Sequence, residues 1–211
     1  AGGTVGYTYD NNNNLASVTH QDGKTRTYVY NEATYTGGAN LPTALTGIVD
    51  ENSGRFAIFK YDSTGKAIST EHAGGVEKYS VAYPQLGIQS IVTDPLNAAR
   101  TYLYQTILNT IRNTSVSQPG GAGCGAASNG MSYDTKGNVA TRTNFNGIVT
   151  TYSYDLTRNL ETSRVEGAGT AQARTITTSW HATYSLPLKI AEPKLLATYT
   201  YDASGNLLSR T

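Results

Sequence analysis

The sequence predicts an all-β repeat protein, an antiparallel ribbon of β-hairpins. Three observations lead there: an aromatic–aspartate station recurring at a near-constant interval, glycine turns at fixed offsets from it, and a composition suited to short strands. The 211 residues include 16 Tyr but 3 Phe, 1 Trp and 1 Met, together with 22 Gly. Tyrosine and threonine fit half-buried pleated strands, while Gly and Asn supply the positive-φ positions of tight turns. Apolar stripes at helical spacing are scarce, and Gln105 to Ile111, the best helical candidate, is short.

The stations are "YTYD", "YVYN", "FKYD", "VAYP", "YLYQ", "MSYD", "YSYD", "TSWH" and "YTYD". Their third residues are Tyr9, Tyr30, Tyr61, Tyr83, Tyr104, Tyr133, Tyr154, Trp180 and Tyr201. The steps between them are 21, 31, 22, 21, 29, 21, 26 and 21 residues. A period that recurs in this way marks a repeat architecture. After the aromatic residue comes an aspartate, as at Asp10, Asp62, Asp134, Asp155 and Asp202. In four of these, Gly or Asn follows three residues later, at Asn13, Gly65, Gly137 and Gly205. Aspartate at the first position of a type I turn caps the turn's own backbone, and Gly or Asn tolerates the left-handed residue. Leu15, Val139, Leu160 and Leu207 then open the next strand.

A second turn is expected fourteen residues after a station, at Gly23, Gly75, Asn97, Gly147 and Lys194. Gly54 stands seven residues before Tyr61 and is placed in the same role. The return strand alternates plainly: Ile148, Thr150, Tyr152 and Tyr154 share one face. Each unit is thus two strands and two turns, and residues 1–211 form a single array of about eight repeats with sixteen to eighteen strands. Longer steps are assigned to turn insertions near 32–47, 117–130 and 165–173, with the strands keeping their length.

This pattern, Y-x-Y-D-x-x-G-N-L followed by a middle strand, a glycine turn and a return to Y-x-Y-D, resembles the YD repeat of the RHS family. "YDTKGNVATRTNFNGIVTTYSYD" and "YDASGNLLSRT" match it closely, with Tyr83, Tyr104 and Trp180 as degenerate stations. The resemblance implies a long β-ribbon winding into a curved sheet, part of a hollow shell or tube. RHS toxins, the cocoon components of Tc toxins and teneurins are similar to this pattern, and bacterial shells of the family commonly enclose a C-terminal toxin. The family's D-P-x-G self-cleavage motif has its nearest counterpart in Asp94-Pro95-Leu96-Asn97, which lacks the glycine and occupies an ordinary second turn. From the resemblance, a bacterial secreted or cell-surface protein is expected.

Little else in the sequence carries chemistry. Net charge is +1 from 16 basic and 15 acidic residues, with no basic run to suit nucleic acid and no apolar run long enough to span a membrane. Cys124 is the only cysteine, which excludes an intrachain disulfide, and reads as a small residue in a flexible loop. His20, His72 and His181 lack metal-ligand neighbours and read as solvated turn or strand residues. The repeated aspartates read as turn caps rather than a calcium ladder. No nucleophile–base pair is legible, so no catalytic residues, cofactor or metal are expected and the chain is expected not to be an enzyme.

The function expected is therefore structural: a shell segment that secludes cargo such as a C-terminal toxin. An extracellular fibre or carbohydrate-binding adhesin is the alternative, since tyrosine faces flanked by Asn and Thr suit glycans. The tyrosines are expected to form cross-strand ladders that hold register. The chain reads as a piece of a longer protein. Its partners would be the remainder of its own chain or other copies, met by β-edge pairing, which a proline at Thr8 should block.

Overall fold

The computed structural model of the chain describes residues 3–211. It contains eighteen β-strands and two short 3-10 turns, Ala33–Tyr35 and Ala73–Gly75. The residues fall into two compact units, Ala1–Pro84 with Ser90–Arg100 and Gln85–Gln89 with Thr101–Thr211. In the first run β1 (Gly6–Tyr9), β2 (Leu15–Thr19), β3 (Thr25–Tyr30), β4 (Leu45–Val49), β5 (Arg55–Tyr61), β6 (Ala67–His72) and β7 (Tyr79–Gln85), with β8 (Gln89–Thr93) following. Consecutive strands from β1 to β7 pair antiparallel.

In the second unit the strands are β9 (Ala99–Ile107), β10 (Thr110–Gln118), β11 (Ala127–Tyr133), β12 (Val139–Thr143), β13 (Val149–Asp155) and β14 (Leu160–Ala168). They continue as β15 (Arg174–Trp180), β16 (Pro187–Glu192), β17 (Leu195–Tyr201) and β18 (Leu207–Arg210). From β9 to β18 every strand again pairs antiparallel with the next. The all-β meander is what the turn spacing predicts.

Among the described residues of each unit, strands in extensive contact are sequence neighbours, and no second layer of strands packs on either face. Among the described residues Ala57, Ile176 and Ala197 are the buried apolar ones, while most strand positions are half-buried. A sheet of this kind cannot draw its stability from a thick apolar core. It relies on backbone pairing, on cross-strand side-chain contacts and on turns that satisfy their own polar groups. One face of the second unit carries an ion-pair string across three strands. Glu161 pairs with Arg164 at 2.9 Å, Arg164 with Glu166 at 3.0 Å, Glu166 with Arg174 at 2.7 Å and Arg174 with Glu192 at 3.7 Å.

Several sequence expectations need correction. Gln105–Ile111 is no helix: Gln105–Ile107 ends β9, Leu108-Asn109 is a two-residue turn and Thr110 opens β10. Strands do not all keep their length, for β10 and β14 run nine residues where β2 and β12 run five. Part of the surplus expected in the turns near 117–130 and 165–173 is strand instead, because it finds partners: Gln118 pairs with Ala127, and Ala168 with Val149. The loop around Cys124 is ordered by a Gly121–Cys124 bridge with backbone hydrogen bonds of 3.0 and 3.2 Å. Asp10 N bonds Asn14 O, so on β1 the amides of Thr8 and Gly6 also face β2, and those of Tyr7 and Tyr9 face outward. A proline at Thr8 would break the first hairpin rather than block an edge.

The turns place left-handed residues at Gly23, Gly65, Gly75, Gly137, Gly147 and Gly205, with φ from 76° to 86°. In the turn before β5 that residue is Ser53 (φ 63°), not Gly54. A Cβ on Gly147 would meet nothing within 4 Å, so only its backbone angle resists substitution. Gly147→Ala should therefore lower the unfolding free energy by about 1–2 kcal/mol, and Ser53→Gly should raise it by up to about 1 kcal/mol. Urea titrations measure both; an unchanged midpoint for Gly147→Ala would remove the conformational argument.

Candidate functional site

The repeated site is built around a β-bulge. At eight of the nine stations the ladder skips one residue on the partner strand: Thr8 faces Ser17 but Tyr9 faces Leu15, and Ser132 faces Thr141 but Tyr133 faces Val139. The same slip occurs at Tyr30, Tyr61, Tyr154, Trp180 and Tyr201. At Tyr104 it falls between Asn113 and Ser115. A bulge leaves an extra residue out of the ladder and interrupts the pairing beside it, so a carbonyl next to it needs another donor.

The aromatic side chain of the next station supplies that donor. Tyr30 Oη donates to Leu15 O at 3.1 Å, Tyr61 Oη to Leu45 O at 3.0 Å and Tyr83 Oη to Ala67 O at 2.8 Å. In the second unit Tyr133 Oη donates to Asn113 O at 2.7 Å and Tyr201 Oη to Pro187 O at 2.8 Å. Each acceptor is the residue that faces the preceding station, immediately before the residue the ladder skips. Trp180 keeps the interaction with a different group, its indole N–H donating to Glu161 O at 2.7 Å. The stations Tyr83 and Trp180, degenerate in sequence, are therefore equivalent in bonding.

Two stations differ. Tyr9 is exposed and its hydroxyl bonds nothing among the described residues. Tyr154 holds its place opposite Glu161, and burial raises its pKa, but its hydroxyl makes no bond to a bulge carbonyl. Tyr104 lies in β9, its backbone N–H donating to Ile88 O at 2.8 Å. Among the described residues no two tyrosine rings pack against each other; the ring pairs are Phe56–His72 and His181–Tyr184. Tyrosine ladders are thus not the register device. The hydroxyl-to-carbonyl bond takes that place, since it requires a donor at one fixed height on the strand.

The aspartates close the first turns. Asp62 Oδ1 accepts from Thr64 N (2.8 Å), Thr64 Oγ1 (2.6 Å) and Lys66 N (3.0 Å). Asp134 accepts from Lys136 N and Asn138 N, Asp202 from Ser204 N and Asn206 N, and Asp10 from Asn12 N and Asn14 N, all at 2.8–2.9 Å. The second carboxylate oxygen takes the amide of Asn14, Asn138 or Asn206. Asp155 caps a tighter turn through Thr157 N and Arg158 N. The Thr64 hydroxyl and then the Lys66 amide lower the Asp62 pKa to about 2. The side-chain amides of Asn14 and Asn206 similarly lower Asp10 and Asp202, and at Asp134 the Asn138 bonds outweigh a burial effect of opposite sign.

Sequence reasoning passed over several residues of the same kind. Asp50, Asp94 and Asn144 cap the second turns at the same two amide positions. Their signal was present, each standing three residues before Ser53, Asn97 or Gly147. His181 replaces the aspartate after Trp180, its Nδ1 accepting from Thr183 N and Tyr184 N at 3.1 Å. His20 meets Glu51 at 3.0 Å, and His72 packs on Phe56, so none of the three histidines is simply solvated. Successive turns are also tied together: Arg158 donates to His181 O (2.7 Å) and Tyr184 O (2.8 Å), and Tyr184 Oη to Ala203 O (3.0 Å). Among the described residues no three His, Cys, Asp or Glu side chains are grouped to hold a metal ion.

With this geometry in place, comparison with known proteins is informative. Residues 133–171, from the Tyr133 station through the β13–β14 hairpin, match the RHS Repeat family model. The chain carries an RHS repeat. No curated protein matches it. Among solved structures, TcdB2-TccC3 without its hypervariable C-terminal region aligns with 98% of this chain and 12% of that one, at 13% identity and a TM-score of 0.59. TcdB2-TccC3-Cdc42 aligns with 98% of this chain and 16% of that one, at 10% identity and a TM-score of 0.39. The Photorhabdus luminescens Tc holotoxin pore aligns with 99% and 15%, at 11% identity and a TM-score of 0.26. The first establishes a shared fold; the other two superpose too loosely to add to it. The chain spans about an eighth of the first structure's length.

Two predictions follow from the RHS repeat's bonding. Tyr133→Phe and Tyr201→Phe each strand a bulge carbonyl and should cost about 1–2 kcal/mol. Tyr152→Phe, which removes a hydroxyl with no hydrogen bond among the described residues, should stay within about 0.5 kcal/mol. Equal losses at all three by denaturant titration would show that ring packing alone matters. Because Asp62 titrates lower folded than unfolded, its contribution is complete above about pH 4 and is lost as pH falls toward its folded value. Melting temperatures taken from pH 5 to pH 2 should fall more steeply for the natural chain than for Asp62→Asn, which keeps an acceptor but cannot titrate.

Proposed function

We propose that the chain is a wall segment of an RHS-repeat shell, structural rather than catalytic, in an exported bacterial protein. The shell it helps to build secludes a cargo such as a C-terminal toxin domain. The observation that carries this reading is the single-layered meander in which each repeat satisfies its own turns and bulges. A sheet with that property needs no second layer on either face, so one face is free to meet solvent and the other an enclosed chain. The fold shared with TcdB2-TccC3 supports the reading, because that structure is described as lacking a hypervariable C-terminal region.

Adjoining repeats, from the same parent chain or another copy, would extend the wall by edge pairing. The outward groups of Tyr7 and Tyr9 on β1 suit that role, as does the bulge carbonyl of Leu207, which no aromatic donor reaches. A glycan-binding fibre would draw on tyrosine hydroxyls, yet five stations spend theirs on carbonyls.

Protease protection in the full-length parent tests seclusion. Polypeptide following the repeat array should resist a protease that cuts it rapidly once the wall is loosened by combined Tyr61→Phe, Tyr133→Phe and Tyr201→Phe substitutions. Equal cleavage in both proteins, with the wall itself intact in the natural one, would refute containment.

A further inference from the structure

The two turn edges of the second unit differ in shape. At the station ends of the strands, the tip between β9 and β10 carries Leu108, and the tip between β13 and β14 carries Leu156. Both side chains stand out into solvent, Leu108 at 64% and Leu156 at 46% exposed. The tip between them is polar, Asp134-Thr135-Lys136-Gly137. Leu108 is also strained, with φ at 49°, where asparagine or glycine would suit the two-residue turn better. An apolar residue kept under strain at an exposed tip points toward a contact.

The opposite ends of the strands carry clefts. One of about 400 Å³ lies where β11 meets β12, lined by Met131, Arg142 and Phe145. Another of about 610 Å³ lies between the β14–β15 and β16–β17 turns, walled by Ala171, Ala173, Pro193 and Leu195. Met131, Arg142, Thr150, Glu166 and Arg174 face one another in unbroken succession from β11 to β15. Arg142 borders the first cleft and Arg174 the second, so the two share one face and one level of the sheet. Phe145 and Leu195 remain 39% and 57% exposed there.

The spacings of tips and clefts agree. Leu108 and Leu156 stand four strands apart, as do the centres of the two clefts, about 19 Å at ordinary strand spacing. Charge agrees with shape. Asp155, which adjoins Leu156, accepts from the backbone of Thr157 and Arg158 and pairs with no cation among the described residues. Lys194, on the wall of the larger cleft, pairs with no carboxylate among them.

We propose that the leucine-tipped edge of one ribbon docks into the clefts of a second copy lying alongside it in the same direction. Leu108 enters the cleft of Met131 and Phe145, Leu156 enters that of Pro193 and Leu195, and Asp155 comes beside Lys194. The contact joins ribbons sideways, through their turns, and leaves the outer strands free for pairing. It rests on the wall reading for its setting. Its test involves no enclosed cargo, so either reading can fail alone.

Disulfide trapping between whole chains tests the contact, on a Cys124→Ser background. Thr157→Cys in one copy, beside the intact Leu156, is mixed with Ala171→Cys in another and oxidised. A mixed dimer should form well above the yield of Thr157→Cys with the mid-strand control Thr151→Cys. Leu108→Asn in the first copy should lower that yield about fivefold, through the lost apolar contact. It should at the same time keep or raise the melting temperature, because asparagine accepts the positive φ. Lys194→Glu in the second copy should lower the yield as well, by repulsion from Asp155. Should Thr157→Cys prove poorly folded, Leu156→Cys takes its place. No mixed dimer above the control, or a yield unmoved by a folded Leu108→Asn or by Lys194→Glu, would overturn the proposal.

Discussion

The fold depends on a hydrogen bond that joins two irregularities of the repeat. The strand that follows an aromatic station carries a bulge at eight of the nine stations, and beside the bulge a carbonyl is left without a ladder partner. In a two-layered protein such a carbonyl could meet a loop, a helix or an internal water. Here the strand that follows is the nearest protein, and the aromatic donor at its end reaches back to the orphan. This explains a composition of 16 Tyr against 3 Phe, since Phe would pack as well but donate nothing. It also explains why tryptophan, the other aromatic with a donor, can replace tyrosine at station 180. Pro187 fits for a related reason: as the first residue of its strand, just before the bulge, it has to supply only its carbonyl.

The bulge bond fixes where strands end, and the carboxylates fix how they turn. In eight of the turns, five of the first kind and three of the second, an Asp or Asn takes two amides that would otherwise point into solvent unpaired. The ion-pair string from Glu161 to Glu192 adds a transverse tie across β14, β15 and β16. Its members are partly exposed, so each pair contributes little singly, and together they favour one alignment of three long strands over shifted ones. The turn-to-turn bonds of Arg158 and Tyr184 do the same at the hairpin tips.

Much of this was legible in the sequence because the period is written in large, rare residues. Tyr-x-Tyr-Asp and the glycine three residues later announce strand, turn and left-handed position together. The acceptors beside the bulges were not legible, because these residues (Leu15, Leu45, Ala67, Asn113, Glu161, Pro187) share no side-chain type; only their carbonyls act. The lengths of β10 and β14 were missed for a similar reason, since Val116 and Val165 are as acceptable in a strand as in an insertion, and pairing decides. Ser53 was mistaken for a bystander beside Gly54 because glycine is the habitual carrier of positive φ. At Leu108 the local rule failed outright, and there the chain departs from its own consensus in a way that backbone chemistry does not reward.

Pairing confined to sequence neighbours has a consequence for how the chain acquires its structure. Most hairpins close over five-residue connections or shorter ones, so little chain entropy is lost before contacts form, and contact order stays low for an all-β protein. Each new hairpin needs only its predecessor as a template. Folding can then advance from the N-terminus as the chain emerges, with one growing edge at any moment and no long-range partner to await. The same locality allows a pull on either end to undo the ribbon hairpin by hairpin, in small steps rather than in one global break.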